Sequence, residues 1–358
     1  VKIFKGLERY SKKIIRNLLK KALKSERLPV DEVDTGSLSK ILVVRQDSRL
    51  GNLILMTPLL SALKAVLPDA EVDVLVAEGF EDILAENPNV NRFVIFKKQK
   101  ARLIPWSYFG FIRKLKNARY DLAIDVSDGC HFSLNNVLLT FFSGARYRLG
   151  YDRENAGTFM NIIIPPPPEN TPMAEAMQRI IEPILPGIRK YQTAFYVGDH
   201  DRSFAGEWLQ NHSIAETDSF VVMHPGGKGK KRWSIENFAD LIDRIAATGE
   251  KVVVIGGKSE QKTLFSLRTL AHAEFDILER VSVGQMAAII ERARLFVSGD
   301  TGPMHVAEAL GKPVVAIFLA SNAQVYGHHG KKTRVVTGNE GSITAEEVFS
   351  AVQNLSGQ

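Results

Sequence analysis

Four short stretches carry residues whose types and spacing could do chemistry. In the most informative, Gly299-Asp300-Thr301-Gly302-Pro303-Met304-His305 joins an apolar run, Leu295 to Val297, to a helical run that closes at Gly311. The first amides of a helix lack partners within it and carry about half a positive charge, so such a turn is a seat for phosphate. Gly302 lets the backbone come close to a ligand, and Pro303 fits the first helical turn. A second turn, running from His224 to Ser234, combines Gly226, Gly227 and Gly229 with Lys228, Lys230, Lys231 and Arg232. Glycine amides together with cations are what a diphosphate requires. The third, Gly256-Gly257-Lys258-Ser259-Glu260, places a carboxylate where it could accept hydrogen bonds from ribose hydroxyls. The fourth, Arg45-Gln46-Asp47 followed by Leu50-Gly51-Asn52, offers Asp47 as a base and Asn52 as a hydrogen-bonding group, although both are also good helix caps.

Other chemistries are poorly supported. The phosphate-loop spacing G-x-x-x-x-G-K-[ST] fails at Gly257-Lys258-Ser259 because Val252 stands where the first glycine belongs, and no G-x-G-x-x-G follows the first strand. One Asp-x-Asp pair, Asp199 and Asp201, could hold a divalent cation, but it lies away from the glycine turns and reads better as a helix start. No metal site is expected. Cys130, the single cysteine, excludes an internal disulfide and reads as a small buried hydrophobe.

The elements that must position these turns alternate between strand and helix. Ile41 to Val44, Val72 to Val76, Phe93 to Phe96 and Leu122 to Val126 read as strands in a first half. Helices follow the first turn through Leu67, span Glu81 to Glu86 and Phe109 to Leu115, and run from Met173 to Leu185. A second half repeats the pattern, with strands at Phe220 to Met223, Lys251 to Ile255, Leu295 to Val297 and Val314 to Phe318. Such strand–helix units imply parallel sheets, with ligands beyond the carboxyl ends of the strands. The expected fold is α/β, with two Rossmann-like domains facing a cleft. Residues 40–198 would form the N-terminal domain and 199–358 the C-terminal one, its last helix, Ala345 to Leu355, packing back across the join.

The 358 residues are 45% hydrophobic and 24% charged with a net charge of +6, which suits about two globular domains. That charge is concentrated: residues 1–28 hold ten basic against two acidic side chains, or +8, which leaves −2 for the rest. The folded body therefore does not read as a nucleic-acid binder, and no zinc-finger or RNA-binding motif is present. Residues 2–24 are periodic, with Ile3, Leu7, Ile14, Leu18 and Leu19 on one face and lysines on the other, a pattern suited to an anionic membrane surface. Residues 29–39 read as a polar linker, so that 1–39 forms a leader. No apolar run is long enough to span a bilayer and no secretory signal is read, so the protein is expected to be soluble or peripheral.

Taken in order, the four stretches resemble glycosyltransferase family nine, the ADP-heptose:lipopolysaccharide heptosyltransferases. The likeness covers roughly residues 40–345 and rests on Arg45-x-Asp47 with Leu50-Gly51 and Thr57-Pro58-Leu59, on His224-Pro225-Gly226 with Lys231-Arg232-Trp233, on Gly256-Gly257-x-x-Glu260, and on Gly299-Asp300-Thr301-Gly302-Pro303-x-His305 with Ala309-Leu310-Gly311-x-Pro313. The resemblance implies the glycosyltransferase-B fold and inverting, metal-independent transfer from an ADP-sugar, which is a substrate and not a cofactor. It implies that the donor sits in the C-terminal domain, on Gly226, Gly227, Lys231, Glu260, Met286, Asp300, Thr301, Gly302 and His305. Lys231 and the amides of Thr301 and Gly302 would hold the diphosphate, Glu260 the ribose, Met286 the adenine, and Asp300 the sugar. The acceptor, an anionic lipid-linked saccharide, would meet Arg45, Arg49, Gly51, Arg146, Arg148 and Arg153. The enzyme would work at the inner face of the cytoplasmic membrane, held there by residues 1–28. The family usually carries Gly-Asp at the end of the first turn, and that aspartate looks like its general base; here the pair is Gly51-Asn52. An amide cannot take a proton at neutral pH, so either Asp47 is the base or the protein is a specialised or non-catalytic nucleotide-sugar binder. The same fold acting on a different donor sugar is a third reading.

Overall fold

The computed structural model describes residues 25–46, 48–98, 105–127, 133–153, 156–227, 229–327 and 332–356. Residues 1–24 of the leader, Asp47, Lys228 and Cys130 lie outside them. The first half contains β1 (Lys40–Val44), α1 (Leu50–Leu55), α2 (Thr57–Val66), β2 (Glu71–Ala77), β3 (Arg92–Phe96), α3 (Pro105–Asn117), β4 (Leu122–Asp125), α4 (Leu134–Phe142), β5 (Tyr147–Tyr151), β6 (Ile162–Ile164) and α5 (Met173–Arg179). The second contains α6 (Asp199–Asn211), β7 (Phe220–His224), α7 (Ile235–Ala246), β8 (Lys251–Gly256), α8 (Gln261–Leu270), β9 (Asp276–Glu279), α9 (Val283–Arg292), β10 (Leu295–Gly299) and α10 (Gly302–Ala309). It ends with β11 (Val314–Phe318), α11 (Ala323–Tyr326), β12 (Thr333–Thr337) and α12 (Ala345–Ser356).

Each half builds one parallel sheet, ordered β3-β2-β1-β4-β5-β6 and β12-β11-β10-β7-β8-β9. The central strands are apolar almost throughout because helices cover both faces; β7, β10 and β11 are buried along their whole length. In both sheets the strand order reverses beside the first strand, between β1 and β4 and between β7 and β10. Such a reversal opens a crevice at the carboxyl ends, because the loops on either side of it leave in opposite directions. The turns that follow β1, β4, β7 and β10 therefore line the cleft.

Helix starts follow local chemistry. Ser234 caps α7 by accepting from the Asn237 amide, and Ser282 and Gln285 form a capping box at α9. Asp199 and Asp201 both fall in the first turn of α6, where carboxylates complement the helix dipole.

Several sequence expectations change. The helix read over Glu81 to Glu86 is a single 3-10 turn, Glu81–Leu84, and that read over Met173 to Leu185 stops at Arg179. Pro183 disfavours helical geometry in the residue before it. Residues 29–39 are no free linker: Val33 and Leu38 are buried in the main core, and the Ser39 and Lys40 amides donate to the Asp121 carboxylate. The end of the leader is also held, since the Ser25 amide donates to the Thr158 carbonyl at 3.0 Å and that of Leu28 to Asn161 at 2.9 Å. The last helix does not cross the join. Ala345, Val348, Ala351 and Val352 of α12 are buried in the core of the second sheet, and Glu346 pairs with Arg244 of α7. Residues 191–198, within the stretch 191–201 whose sequence reads as the crossing into a second domain, join the halves. The Ala194 amide donates to Thr57 Oγ1 of the first half at 2.9 Å, and the next amide, Phe195, to the Ala309 carbonyl of the second at 3.3 Å.

Candidate active site

His224 ends β7 and is buried, with 8% of its surface exposed. Its Nδ1 accepts from the Gly226 amide at 3.2 Å and lies 3.3 Å from Thr301 Oγ1. Thr301 Oγ1 is in turn 2.9 Å from Ser298 Oγ, whose own proton goes to the Gly299 carbonyl. With Nδ1 accepting, the neutral ring carries its proton on Nε2. Burial lowers the His224 pKa to about 4, so the ring is neutral at physiological pH. Gly226 is required because a Cβ there would overlap the His224 ring. Gly227, with φ of 139°, adopts a backbone conformation that side chains rarely reach, and its carbonyl accepts from Arg232 Nε at 3.0 Å.

Beside His224 lies a pocket of about 550 Å³ at the carboxyl ends of β7, β8 and β9. Its walls include Gly256, Gly257, Glu260 and Met286, with Leu50 of the first half and Pro303 of α10 closing it. Glu260 precedes α8; its Oε2 accepts from the Gly257 amide at 3.0 Å and its Oε1 from Ser259 Oγ at 2.6 Å. Burial works to raise the Glu260 pKa, but these hydrogen bonds outweigh it and hold the carboxyl below its ordinary value. Glu260 and Met286 thus come together from separate stretches. His224 and Arg280 also line this pocket, although the resemblance assigns neither of them a role. His224 was visible as the polar end of an apolar strand, whereas Arg280 follows β9, a strand the patterning did not reveal.

At the start of α10, Thr301 is the extended N-cap residue and Gly302 and Pro303 open the helix. Asp300, just before, pairs with Lys231: Nζ to Oδ2 is 2.7 Å, with the lysine side chain 43% exposed and the aspartate 9%. Lys231 Nζ also lies 5.9 Å from the centre of the Tyr326 ring. The lysine expected at the diphosphate and the aspartate expected at the donor sugar therefore meet each other, one reaching solvent and one held beneath.

Across the cleft, α1 meets α10 directly. A Cβ on Gly51 would stand 2.5 Å from His305 Cδ2, and one on Gly302 would stand 2.8 Å from Leu50 Cβ. His305 lies at this join, not among the residues lining the pocket; it is buried, with Nδ1 3.3 Å from Glu308 Oε2. Asn52, within the first turn of α1, is partly exposed on the same helix.

The arginines assigned to the acceptor do not form one cluster. Arg49 is exposed as the N-cap residue of α1 on the cleft side. Arg45 is buried and donates to the Val126 carbonyl beyond β4. Arg153 pairs with the fully buried Asp125 at 2.6 Å, so its charge is spent inside the protein. The other oxygen of Asp125 accepts from the Ser127 amide and hydroxyl, Asn136 Nδ2 donates to that hydroxyl, and Asn136 Oδ1 accepts from the Gln46 amide. This network ties together the turns after β1, β4 and β5. Arg146 immediately precedes β5 and Arg148 is its second residue, paired with Ala123 of β4, so both sit at the opposite, amino-terminal edge of the sheet. Arg148 donates to the Phe159 and Ala145 carbonyls and to Ser25 Oγ, and burial lowers its pKa. Neither faces the cleft.

Two facing Rossmann-like domains of this kind define the glycosyltransferase-B fold. The chain belongs to glycosyltransferase family 9 (heptosyltransferase), whose model matches residues 108–352. It is a glycosyltransferase. It is 26% identical over 287 residues to lipopolysaccharide heptosyltransferase 3 of Escherichia coli, covering 76% of this chain and 81% of that one. It is 25% identical over 308 residues to lipopolysaccharide heptosyltransferase 1 of Pseudomonas aeruginosa, covering 82% of each. Among solved structures, the family 9 glycosyl transferase of Veillonella parvula superposes with a TM-score of 0.81 at 22% identity, over 89% of this chain and 97% of the other. Escherichia coli heptosyltransferase WaaC with ADP-2-deoxy-2-fluoro heptose superposes with a TM-score of 0.70 at 23% identity, over 88% and 99%. Among the described residues no helix is long and apolar enough to cross a membrane.

Proposed function

We propose that this protein transfers a heptose, with inversion and without a metal ion, from ADP-heptose to an anionic lipid-linked acceptor such as a lipopolysaccharide core. The observation that carries this reading is the continuous path from the pocket at Glu260 and Met286, past His224 and Thr301, to the Lys231–Asp300 pair at the start of α10. In this reading a nucleoside takes the pocket end and a diphosphate the cationic end. Glu260 accepts hydrogen bonds from the ribose, and Lys231 with the first amides of α10 stabilises the departing ADP. Asp300, freed from Lys231 when the phosphates arrive, positions the donor sugar. The names of the relatives support heptose as that sugar and a lipopolysaccharide as acceptor. Asp47 is the proposed base, because Asn52 occupies the place where the family carries its aspartate. The enzyme works at the cytoplasmic face of the inner membrane, with the basic leader contributing to its attachment.

A panel of ADP- and UDP-sugars, screened by thermal shift and then for transfer, tests the proposal. The preferred donor stabilises the native state by mass action, by about 2.7 kcal/mol at a hundredfold excess over its Kd. Stabilisation by UDP-sugars but not ADP-sugars would overturn the assignment of the donor. Binding of ADP-heptose without any turnover would instead favour a nucleotide-sugar-binding protein, the reading that Asn52 motivates.

A further inference from the structure

Helix α3 exposes two large aromatic side chains, Trp106 at 80% and Phe109 at 65%, with ring centres 6.2 Å apart. The residues at spacings of three and four, Trp106, Phe109, Arg113 and Lys116, form one outward stripe, aromatic in its first half and cationic in its last. None of the thirteen residues of α3 is acidic, and Arg113, Lys114 and Lys116 give the helix a charge of +3. The opposite face is already committed. Tyr108 and Phe111 pack on Phe96 at the end of β3, and Leu115 is buried beside Tyr120 and Ala123. The helix is thus packed by one face while the other leaves Trp106 and Phe109 exposed.

Its placement matters as much as its composition. Tyr108 contacts Phe96, the last residue of β3, so the aromatic end of α3 lies at the carboxyl edge of the first sheet. That is the edge where the turns after β1 and β4 open into the cleft. Tryptophan and phenylalanine partition into the headgroup–acyl boundary, and cations beside them are drawn to anionic lipid. We infer that the stripe Trp106-Phe109-Arg113-Lys116 is a docking face for an anionic bilayer, one that seats the acceptor side of the cleft against the lipid headgroups. The inference deepens the proposed use of a lipid-linked acceptor and is independent of the basic leader.

The test uses the full chain and vesicles of equimolar phosphatidylcholine and phosphatidylglycerol carrying a brominated acyl chain as quencher. Trp106 is the reporter, and Trp106→Phe supplies the background from Trp208 and Trp233. The vesicles should blue-shift and quench Trp106 emission. The double substitution Trp106→Ser/Phe109→Ser should weaken vesicle binding about tenfold or more, with an unchanged melting temperature because both side chains are exposed. Arg113→Gln/Lys116→Gln should lose about tenfold or more of the preference for anionic over pure phosphatidylcholine vesicles. Phe265→Ser, which removes an aromatic side chain 76% exposed on α8, should change neither. Vesicle binding through the leader alone, with Trp106 emission still water-like, overturns the inference. So does a concentration-dependent dimer that the Trp106→Ser/Phe109→Ser chain fails to form, which would assign the face to a second copy of the protein. Transfer to a detergent-dispersed acceptor by the wild type separates the two proposals. If it persists while Trp106 stays in water, the docking face fails and the transferase reading stands. If it is absent while Trp106 is quenched, the reverse holds.

Discussion

The His305 ring and Gly51 touch across the cleft so closely that a single methyl group on Gly51 would stand 2.5 Å from the imidazole Cδ2. The Gly302–Leu50 contact repeats this approach one turn away, so helices α1 and α10 are in contact through two glycines. The distance between the halves is therefore set by the absence of two side chains.

Gly51→Ala should push α1 away from α10. Overpacking of this kind costs about 1–3 kcal/mol, which equilibrium denaturation can read. Transfer should fall by more than the stability loss explains, because a misplacement of about 1 Å between reacting groups costs on the order of a hundredfold in rate. Wild-type stability together with wild-type kcat would mean that the helices separate freely and that the contact does not set the cleft.

Lys231→Ala tests the phosphate end. The Lys231–Asp300 pair is too exposed at its lysine to matter much for folding, and exposed ion pairs contribute about 0–1 kcal/mol. A cation that stabilises a leaving diphosphate is worth roughly a hundredfold in kcat. The expected outcome is a melting temperature close to wild type with turnover down about two orders of magnitude. A large loss of stability with unchanged turnover would make Lys231 structural.

His224 makes stability depend on pH. Its folded pKa, about 4, lies below the ordinary histidine value of about 6.5, so the unfolded chain takes up a proton first as pH falls. The native state is therefore unaffected above about pH 6.5 and loses up to about 3 kcal/mol as pH falls from there to about 4. His224→Gln lacks this titration. Melting curves of both proteins should run parallel above pH 7 and converge, or cross in favour of the variant, near pH 5; a constant difference across the range would contradict the neutral buried ring.

The Asp125–Arg153 pair should behave as a buried one. Arg153→Met leaves a carboxylate fully inside without its partner, which costs about 3–5 kcal/mol. Replacing both, as Arg153→Met with Asp125→Leu, should recover most of that loss in a double-mutant cycle. Because Asp125 also accepts from Ser127, the turn after β4 should loosen in either case, and hydrogen exchange at that turn is the readout.

Asp47→Asn decides the question of the base. Turnover should drop about 10²–10⁴-fold with donor binding retained. Activity near that of the parent would sink the assignment, and a sharp gain from Asn52→Asp would point to a chain specialised away from fast transfer.

Much of this was readable from local patterns. The apolar runs that became β1, β2, β7, β8, β10 and β11 announce themselves, because strands covered on both faces need continuous apolar sequence. The glycine turns at 226–227, 256–257 and 299–302 are equally visible, since backbone that must bend sharply or approach a ligand selects glycine. β6, with three residues, and β12, half-exposed at a sheet edge, have too little pattern to see. Resemblance and residue type together assigned five arginines to the acceptor. The start and register of β5 then put Arg146 and Arg148 at the amino edge, and Arg153 turns inward to Asp125. A charge in a sequence has no side of the sheet until strand pairing supplies one.

The sequence by itself determined the two Rossmann-like halves, the glycine turns at the carboxyl ends of their strands and the family. Each of these depends on periodicity and turn chemistry within a few residues. Only the tertiary structure decided that Glu260, Met286 and His224 share one pocket, that Lys231 meets Asp300, and that His305 seats on Gly51. It also packed α12 on its own sheet. Those outcomes depend on strand order and on how closely two helices can pack, and both are settled between residues far apart in the chain.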